Sequence, residues 1–164
     1  IPIMWKTGHS FIKGKLKEIG ALLAGEMSGH IFFKERWYGF DDALYTGARL
    51  LEFLSKQSDM NAVLHALPDA INTPELQIKL KEGENYALVD LLQREARFDN
   101  PERIITTDGL RVEYRDGFGL IRSSNTTPVL VLRFEADNSD ALQRIKLDFR
   151  RVLKQFKPDI SLPF

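Results

Sequence analysis

Two Asp-Gly pairs, Asp108-Gly109 and Asp116-Gly117, stand between short runs in which apolar and polar residues alternate, and no other feature restricts the fold as much. Asp-Gly between alternating runs is the strongest short-range hairpin signal, because glycine reaches the positive φ of a tight turn at no steric cost. Ile104 to Thr106, Leu110 to Tyr114 and Phe118 to Ile121 therefore read as short strands, and Val129 to Phe134 as a longer one. Glu75 to Leu80 alternates in the same way. Asn85 to Ala96 has the periodicity of an amphipathic helix, and Ser139-Asp140 caps a last helix reaching about Phe156. The order β-α-β-β-β-α predicts a compact α+β domain, an antiparallel sheet with both helices on one face.

The first half follows a different grammar. Ile1 to Trp5 reads as a buried strand, and Thr7-Gly8-His9-Ser10 opens a helix with Thr7 or Ser10 as its cap. Gly20 ends that helix, and Ala21 to Gly25 is a short apolar strand. Strand, helix and strand in succession predict an α/β layer with a mixed or mostly parallel sheet, whose ligands gather at the carboxyl ends of the strands. Phe40-Asp41-Asp42 caps a helix to about Lys56, with Ala43, Leu44, Ala48, Leu51 and Leu54 on its inner face. A short helix follows from Met60 to Leu67. Pro68, Asp69, Asn72 and Pro74 mark a connector, which divides the chain into residues 1–67, a linker at 68–74 and residues 75–164. The chain opens inside an apolar run without an initiator Met, the expectation being the C-terminal portion of a longer protein.

Charge narrows the function. Lys plus Arg and Asp plus Glu each total 23, so the net charge is zero, and no basic stripe suits nucleic acid or an acidic membrane. The absence of cysteine excludes thiolate nucleophiles and zinc–thiolate sites and fits a reducing cytoplasm. No apolar run approaches the roughly 20 residues of a membrane helix, and no signal peptide is recognisable.

Three segments could carry chemistry. Arg122-Ser123-Ser124-Asn125-Thr126-Thr127-Pro128 sets one guanidinium beside five consecutive polar side chains between two apolar runs. Arg matches phosphate oxygens with a planar fork, and hydroxyls, the Asn amide and turn N–H groups add donors. The same composition also makes a polar hairpin loop capped by local hydrogen bonds, and spacing does not separate the two. Gly25-Glu26-Met27-Ser28-Gly29-His30 places a carboxylate, a hydroxyl and an imidazole at alternate positions, on one side if the segment is extended. Sugar hydroxyls suit Glu26 and Ser28, and His30 can move a proton; a water-facing loop is the other reading. Lys6 to His9 lies at a helix start, where an anion site and a capping cluster are both admissible. Glu26 and His30 supply too few ligands for a metal. His65 reads as structural, and in Phe32 to Tyr38 the core candidates are Phe33 and Trp37.

Taken together, Trp5-Lys6-Thr7-Gly8-His9-Ser10, Gly25-Glu26-Met27-Ser28-Gly29-His30, Phe33-Lys34-Glu35-Arg36-Trp37, Gly39-Phe40-Asp41-Asp42 and Arg122 to Pro128 resemble the α-D-phosphohexomutases. The likeness is strongest to the bacterial phosphomannomutase/phosphoglucomutase branch and covers essentially the whole chain. It implies a four-domain enzyme that interconverts glucose or mannose 1-phosphate and 6-phosphate through a bisphosphorylated sugar, using a phosphoserine, Mg2+ and a glucose 1,6-bisphosphate activator. Residues 1–67 would be the later part of a three-layer α/β domain 3, truncated, and residues 75–164 the phosphate-binding domain 4. His9 and His30 would be the catalytic candidates. Glu26, Ser28 and His30 would contact the sugar, and Arg122, Ser124, Asn125 and Thr126 the phosphate. The phosphoserine and magnesium loops of the family are not in this sequence. The partners implied are hexose phosphates and the remaining domains of the parent protein, and the isolated chain is expected to be inactive.

Overall fold

A computed structural model describes residues 1–164, which form two compact units, Ile1–Pro68 and Asp69–Phe164.

The second unit is built on one antiparallel sheet. Its elements are β3 (Ile71–Asn72), β4 (Leu76–Lys79), α4 (Glu84–Glu95), β5 (Arg103–Ile105), β6 (Leu110–Tyr114), β7 (Gly117–Ser123), β8 (Val129–Ala136) and α5 (Ser139–Phe156). The strand order is β3-β8-β7-β6-β5, and β4 pairs with β8 on the same side as β3. Four strands separate the two helices, matching the four segments read between Ile104 and Phe134 although the order β-α-β-β-β-α counts three, and β3 lies within the expected connector.

Register explains the single core. The cross-strand pairs Leu110↔Ile121, Ile121↔Leu132, Val112↔Gly119 and Gly119↔Phe134 line one face of the sheet. α5 buries Ala141, Leu142, Ile145, Phe149, Val152 and Leu153, a stripe at helical spacing, and α4 buries Leu88, Val89 and Leu92. All of these belong to one continuous cluster, so both helices cover the same face, as the sequence predicts. Gly119 is required there for space: a Cβ would lie 2.3 Å from the Phe149 ring. The buried Asp148 accepts from the Tyr114 hydroxyl at 2.8 Å and from the Asp99 amide at 2.9 Å, fastening the 97–100 crossing to α5. Burial, then this hydrogen bond, pushes the Tyr114 hydroxyl far above its ordinary pKa.

Two details differ from expectation. Arg115-Asp116 forms the β6–β7 turn and Gly117 is already the first residue of β7, where a Cβ would strike the Glu135 carbonyl oxygen at 2.3 Å. The cap of α5 is Asn138, whose side chain accepts from the Ala141 amide, one residue earlier than Ser139.

The first unit contains α1 (His9–Ile19), β1 (Leu23–Gly25), β2 (Ile31–Phe33), α2 (Ala43–Leu54) and α3 (Met60–His65). Ile1 to Trp5 is exposed and joins no strand, so the expected opening strand is absent. The expected mixed or parallel sheet is represented within the chain by β1 and β2 alone, and they pair antiparallel, because the intervening residues 26–30 make a hairpin turn rather than a crossover. Gly8, at φ 129, takes the N-cap position of α1 instead of Thr7 or Ser10, while Gly20 ends the helix in the left-handed conformation. Asp42 caps α2 by accepting from the Tyr45 amide at 2.9 Å. The predicted inner face of α2 is not covered: Leu44 is 90% and Leu51 69% exposed. Phe32, not Phe33 or Trp37, is the buried ring. No helix of the chain is long and apolar enough to cross a membrane.

Candidate functional site

In the first unit the hairpin turn between β1 and β2 brings sequence-distant residues together. The Glu26 amide donates to the His30 carbonyl at 2.9 Å and the Gly29 amide to the Glu26 carbonyl at 3.0 Å. This closure, with Gly29 at φ 90, means the segment is not extended, and the expected one-sided row of Glu26, Ser28 and His30 does not form. Instead Glu26 turns toward the start of α1, where its Oε2 accepts from the Gly8 amide at 2.8 Å. Its Oε1 is buried with no hydrogen-bond partner. Ser28 is exposed at the tip of the turn.

The same tie places the His9 ring 6.3 Å from the His30 ring. His30 Nδ1 lies 2.5 Å from Asp41 Oδ2, and the other oxygen of Asp41 accepts from the Ile31 amide at 3.3 Å. A carboxylate only accepts, so the proton of the pair belongs on Nδ1. Asp41 is held at the end of β2 by a bridge to Phe32. The sequence predicts a helix cap at Asp41-Asp42, and Asp42 alone serves as that cap. The signal for Asp41 is the doublet itself, of which the cap needs one member.

An ion-pair lattice fixes the loop after β2 to α2. Arg36, at φ 60, contacts Glu52 at 2.8 Å and Glu35 at 3.0 Å, and Arg49 contacts Glu35 at 2.6 Å. The hydrogen bond from Arg36, then that from Lys56, holds the Glu52 carboxyl down to about 2. Trp37 stacks on Tyr45 at 4.3 Å and donates through Nε1 to Asp42 at 3.1 Å.

In the second unit β7 ends at Ser123 and the chain turns over residues 124–128 into β8. Ile121 faces the core, so strand alternation puts Arg122 on the helix-free face. Ser124 organises the turn. Its amide donates to the Val129 carbonyl at 3.0 Å, and its Oγ accepts from the amides of both Thr126 and Thr127 at 3.3 Å. That Oγ also lies 3.1 Å from Thr127 Oγ1 and 3.4 Å from Thr126 Oγ1. Asn125 and Thr126 are exposed, and Arg122 is half-buried beside the Ser123 carbonyl at 3.5 Å. The turn thus gathers two amides and two threonine hydroxyls around Ser124 Oγ, with Arg122 just before it in the chain, a donor-rich cluster of the kind that receives an anion. The left-handed Gly109, at φ 76, lies against β7 just before the turn: a Cβ there would lie 2.3 Å from the Ile121 carbonyl oxygen and 2.6 Å from the Arg122 Cα.

No group of three or more His, Asp or Glu side chains is placed to hold a metal ion, so the magnesium implied by the resemblance finds no ligand set among these residues.

Comparison with known proteins identifies the family of the chain. The family model described as phosphoglucomutase/phosphomannomutase, alpha/beta/alpha domain III, matches residues 1–71, and that of the C-terminal domain matches residues 75–152. A phosphomannomutase/phosphoglucomutase of Pseudomonas aeruginosa is 57% identical over 164 residues, 99% of this chain and 35% of that protein. A phosphoglucomutase of Neisseria meningitidis serogroup A is 59% identical over 162 residues, 98% of this chain and 35% of that protein. The crystal structure of a phosphoglucomutase/phosphomannomutase family protein from Burkholderia thailandensis superposes with a TM-score of 0.93 at 62% identity, covering 99% of this chain and 34% of that one. The chain therefore spans about a third of the length of the relatives it matches. With two domain models matched in order over nearly its whole length, the chain belongs to the phosphoglucomutase/phosphomannomutase family.

Proposed function

We propose that this chain forms the C-terminal domains of a phosphomannomutase/phosphoglucomutase, an enzyme that interconverts hexose 1-phosphates and 6-phosphates through a bisphosphorylated sugar. Residues 1–67 are the later part of its domain 3 and 75–164 its domain 4, joined by the connector at 68–74, of which Ile71–Asn72 is already paired with β8 in the second unit. Glu26 and Ser28 bind sugar hydroxyls, His30 and His9 flank the reacting oxygen, and Arg122, Ser124, Asn125 and Thr126 bind the phosphate that is not being transferred. The observation that carries this reading is the convergence of Gly8, His9, Glu26, His30 and Asp41, with one Glu26 oxygen left as an unpaired acceptor for a hydroxyl.

In this scheme Asp41 holds His30 so that Nε2 takes the proton of the attacking sugar hydroxyl and returns it when the phosphate moves back. A mutase must bind its sugar in two orientations, and the loop of amides and hydroxyls suits either phosphate because it recognises oxygen anions rather than a sugar shape. Mg2+, which in the parent supplies charge neutralisation for the transferred phosphoryl group, and the phosphoserine belong to the remaining domains, as does activation by glucose 1,6-bisphosphate. A cytoplasmic setting is part of the same proposal. The chain alone is inactive.

Titration of the 164-residue chain with glucose 1-phosphate, followed by backbone amide NMR, tests this. Saturable shifts at residues 122–126, lost in Arg122→Ala, are expected. Shifts confined to that loop, with none at residues 26–30, would favour a phosphate-binding module without sugar recognition. No shifts in a folded sample would remove the phosphate assignment.

A further inference from the structure

We propose that Asn85 and Tyr86, in the first turn of α4, are positioning residues for the 123–127 loop, which they brace from behind while its Ser124 side chain exchanges partners. The inference rests on the phosphate reading of that loop.

The contacts are specific. The Ser124 carbonyl accepts from the Tyr86 hydroxyl at 3.1 Å and from Asn85 Nδ2 at 3.4 Å, and Ser123 Oγ donates to the Asn85 carbonyl at 3.0 Å. Residues nearly forty positions apart in sequence are tied by three hydrogen bonds. Asn85 is 1% exposed, with Nδ2 turned to the Ser124 carbonyl and Oδ1 buried without a hydrogen-bond partner. Tyr86 is 48% exposed, so its ring contributes little burial, and its hydroxyl is committed to the loop.

The need for a brace follows from what Ser124 does. Its Oγ now occupies the acceptor position at the amides of Thr126 and Thr127. A phosphate oxygen seeking the same two amides must displace that hydroxyl, which then rotates about χ1 and donates to the phosphate instead. The exchange leaves the cradle intact only if the Ser124 main chain stays in place. Its carbonyl is pinned by Tyr86 and Asn85, and its amide by the Val129 carbonyl. The loop is thereby closed on itself without ligand and pre-shaped for one, so less ordering is required on binding.

The test uses Tyr86→Phe in the 164-residue chain, with inorganic phosphate as the probe and backbone amide NMR as the readout. Tyr86→Phe keeps the ring and removes one donor. Phosphate binding is expected to weaken about three- to tenfold. The Thr126 and Thr127 amides exchange faster with solvent while β7 and β8 amides and the melting temperature stay as in the parent chain. Asn85→Ala, in addition, is expected to weaken binding at least as much. Loss of phosphate binding in Arg122→Ala combined with parent-like affinity and exchange in Tyr86→Phe overturns the brace alone. Failure of the parent chain to bind phosphate at this loop overturns the phosphate reading and the brace with it.

Discussion

The two units are held together by different forces. In Asp69–Phe164 a single buried cluster runs from Ile78 to Ile160, drawing on four strands and both helices. In Ile1–Pro68 the only fully buried apolar residues are Leu16 and Phe32, while Leu44, Leu51, Met27 and Leu67 are more than 60% exposed. What shapes the first unit is polar: the Glu26–Gly8 tie, the His30–Asp41 pair, the Asp42 cap and the Arg36–Glu52–Arg49–Glu35 lattice. Burial of one large side chain contributes about 1.5–3 kcal/mol, whereas an exposed ion pair contributes about 0–1 kcal/mol. The lesson is a division of labour. The core-built unit carries a preformed turn on a rigid sheet, and the polar-built unit carries titratable side chains whose placement depends on one another.

The difference can be broken most forcefully at Phe149, which packs edge-on against Phe134 at 5.2 Å and beside Phe98 at 4.8 Å. Phe149→Ala is expected to destabilise the second unit by about 3–5 kcal/mol in urea unfolding. Leu51→Ala in the first unit should stay within about 0.5 kcal/mol of the parent. Similar costs for the two would mean that the first unit has a core of its own. A smaller effect is expected at Gly109, whose left-handed φ and contact with the Ile121 carbonyl leave no room for a side chain. Gly109→Ala should cost about 2 kcal/mol or more and shift the amides of residues 122–126, because the Ile121–Arg122 backbone leading into the loop has to move. Unchanged loop shifts would separate that turn from the site.

The smallest effect concerns acid. Glu52 has its folded-state pKa depressed to about 2, so its pairing stabilises the first unit above the ordinary carboxylate value of 4.5 and is lost as pH falls from 4.5 through 2. Trp37 fluorescence should report loosening of the contact between α2 and the loop after β2 across that window, and Glu52→Gln should flatten the profile. An identical profile in Glu52→Gln would assign the acid response to another carboxylate.

Much of this was legible in one dimension, and for reasons that are local. Alternation, the glycine turns and the helical stripe of α5 are periodic signals, so the antiparallel sheet with helices on one face could be read directly. The failures have local causes as well. Ile1 to Trp5 is apolar enough to be a strand, but hydropathy does not say whether a pairing partner is present. The α2 stripe has the right spacing, yet spacing describes a face and not what covers it. Gly25 to His30 is compatible in composition with an extended segment, and the Gly29 turn decides otherwise.

By itself the sequence determined the element types, the Arg122–Thr127 and Glu26–His30 loops as places of interest, and the absence of thiol chemistry, because each follows from residue identity and short-range order. Only the tertiary structure decided that Glu26 answers the Gly8 amide, that Asp41 faces His30, and that Asn85 and Tyr86 stand behind Ser124. Those pairings join residues 11 to 39 positions apart, and a hydrogen bond has no periodicity along the chain by which such a partner could be found.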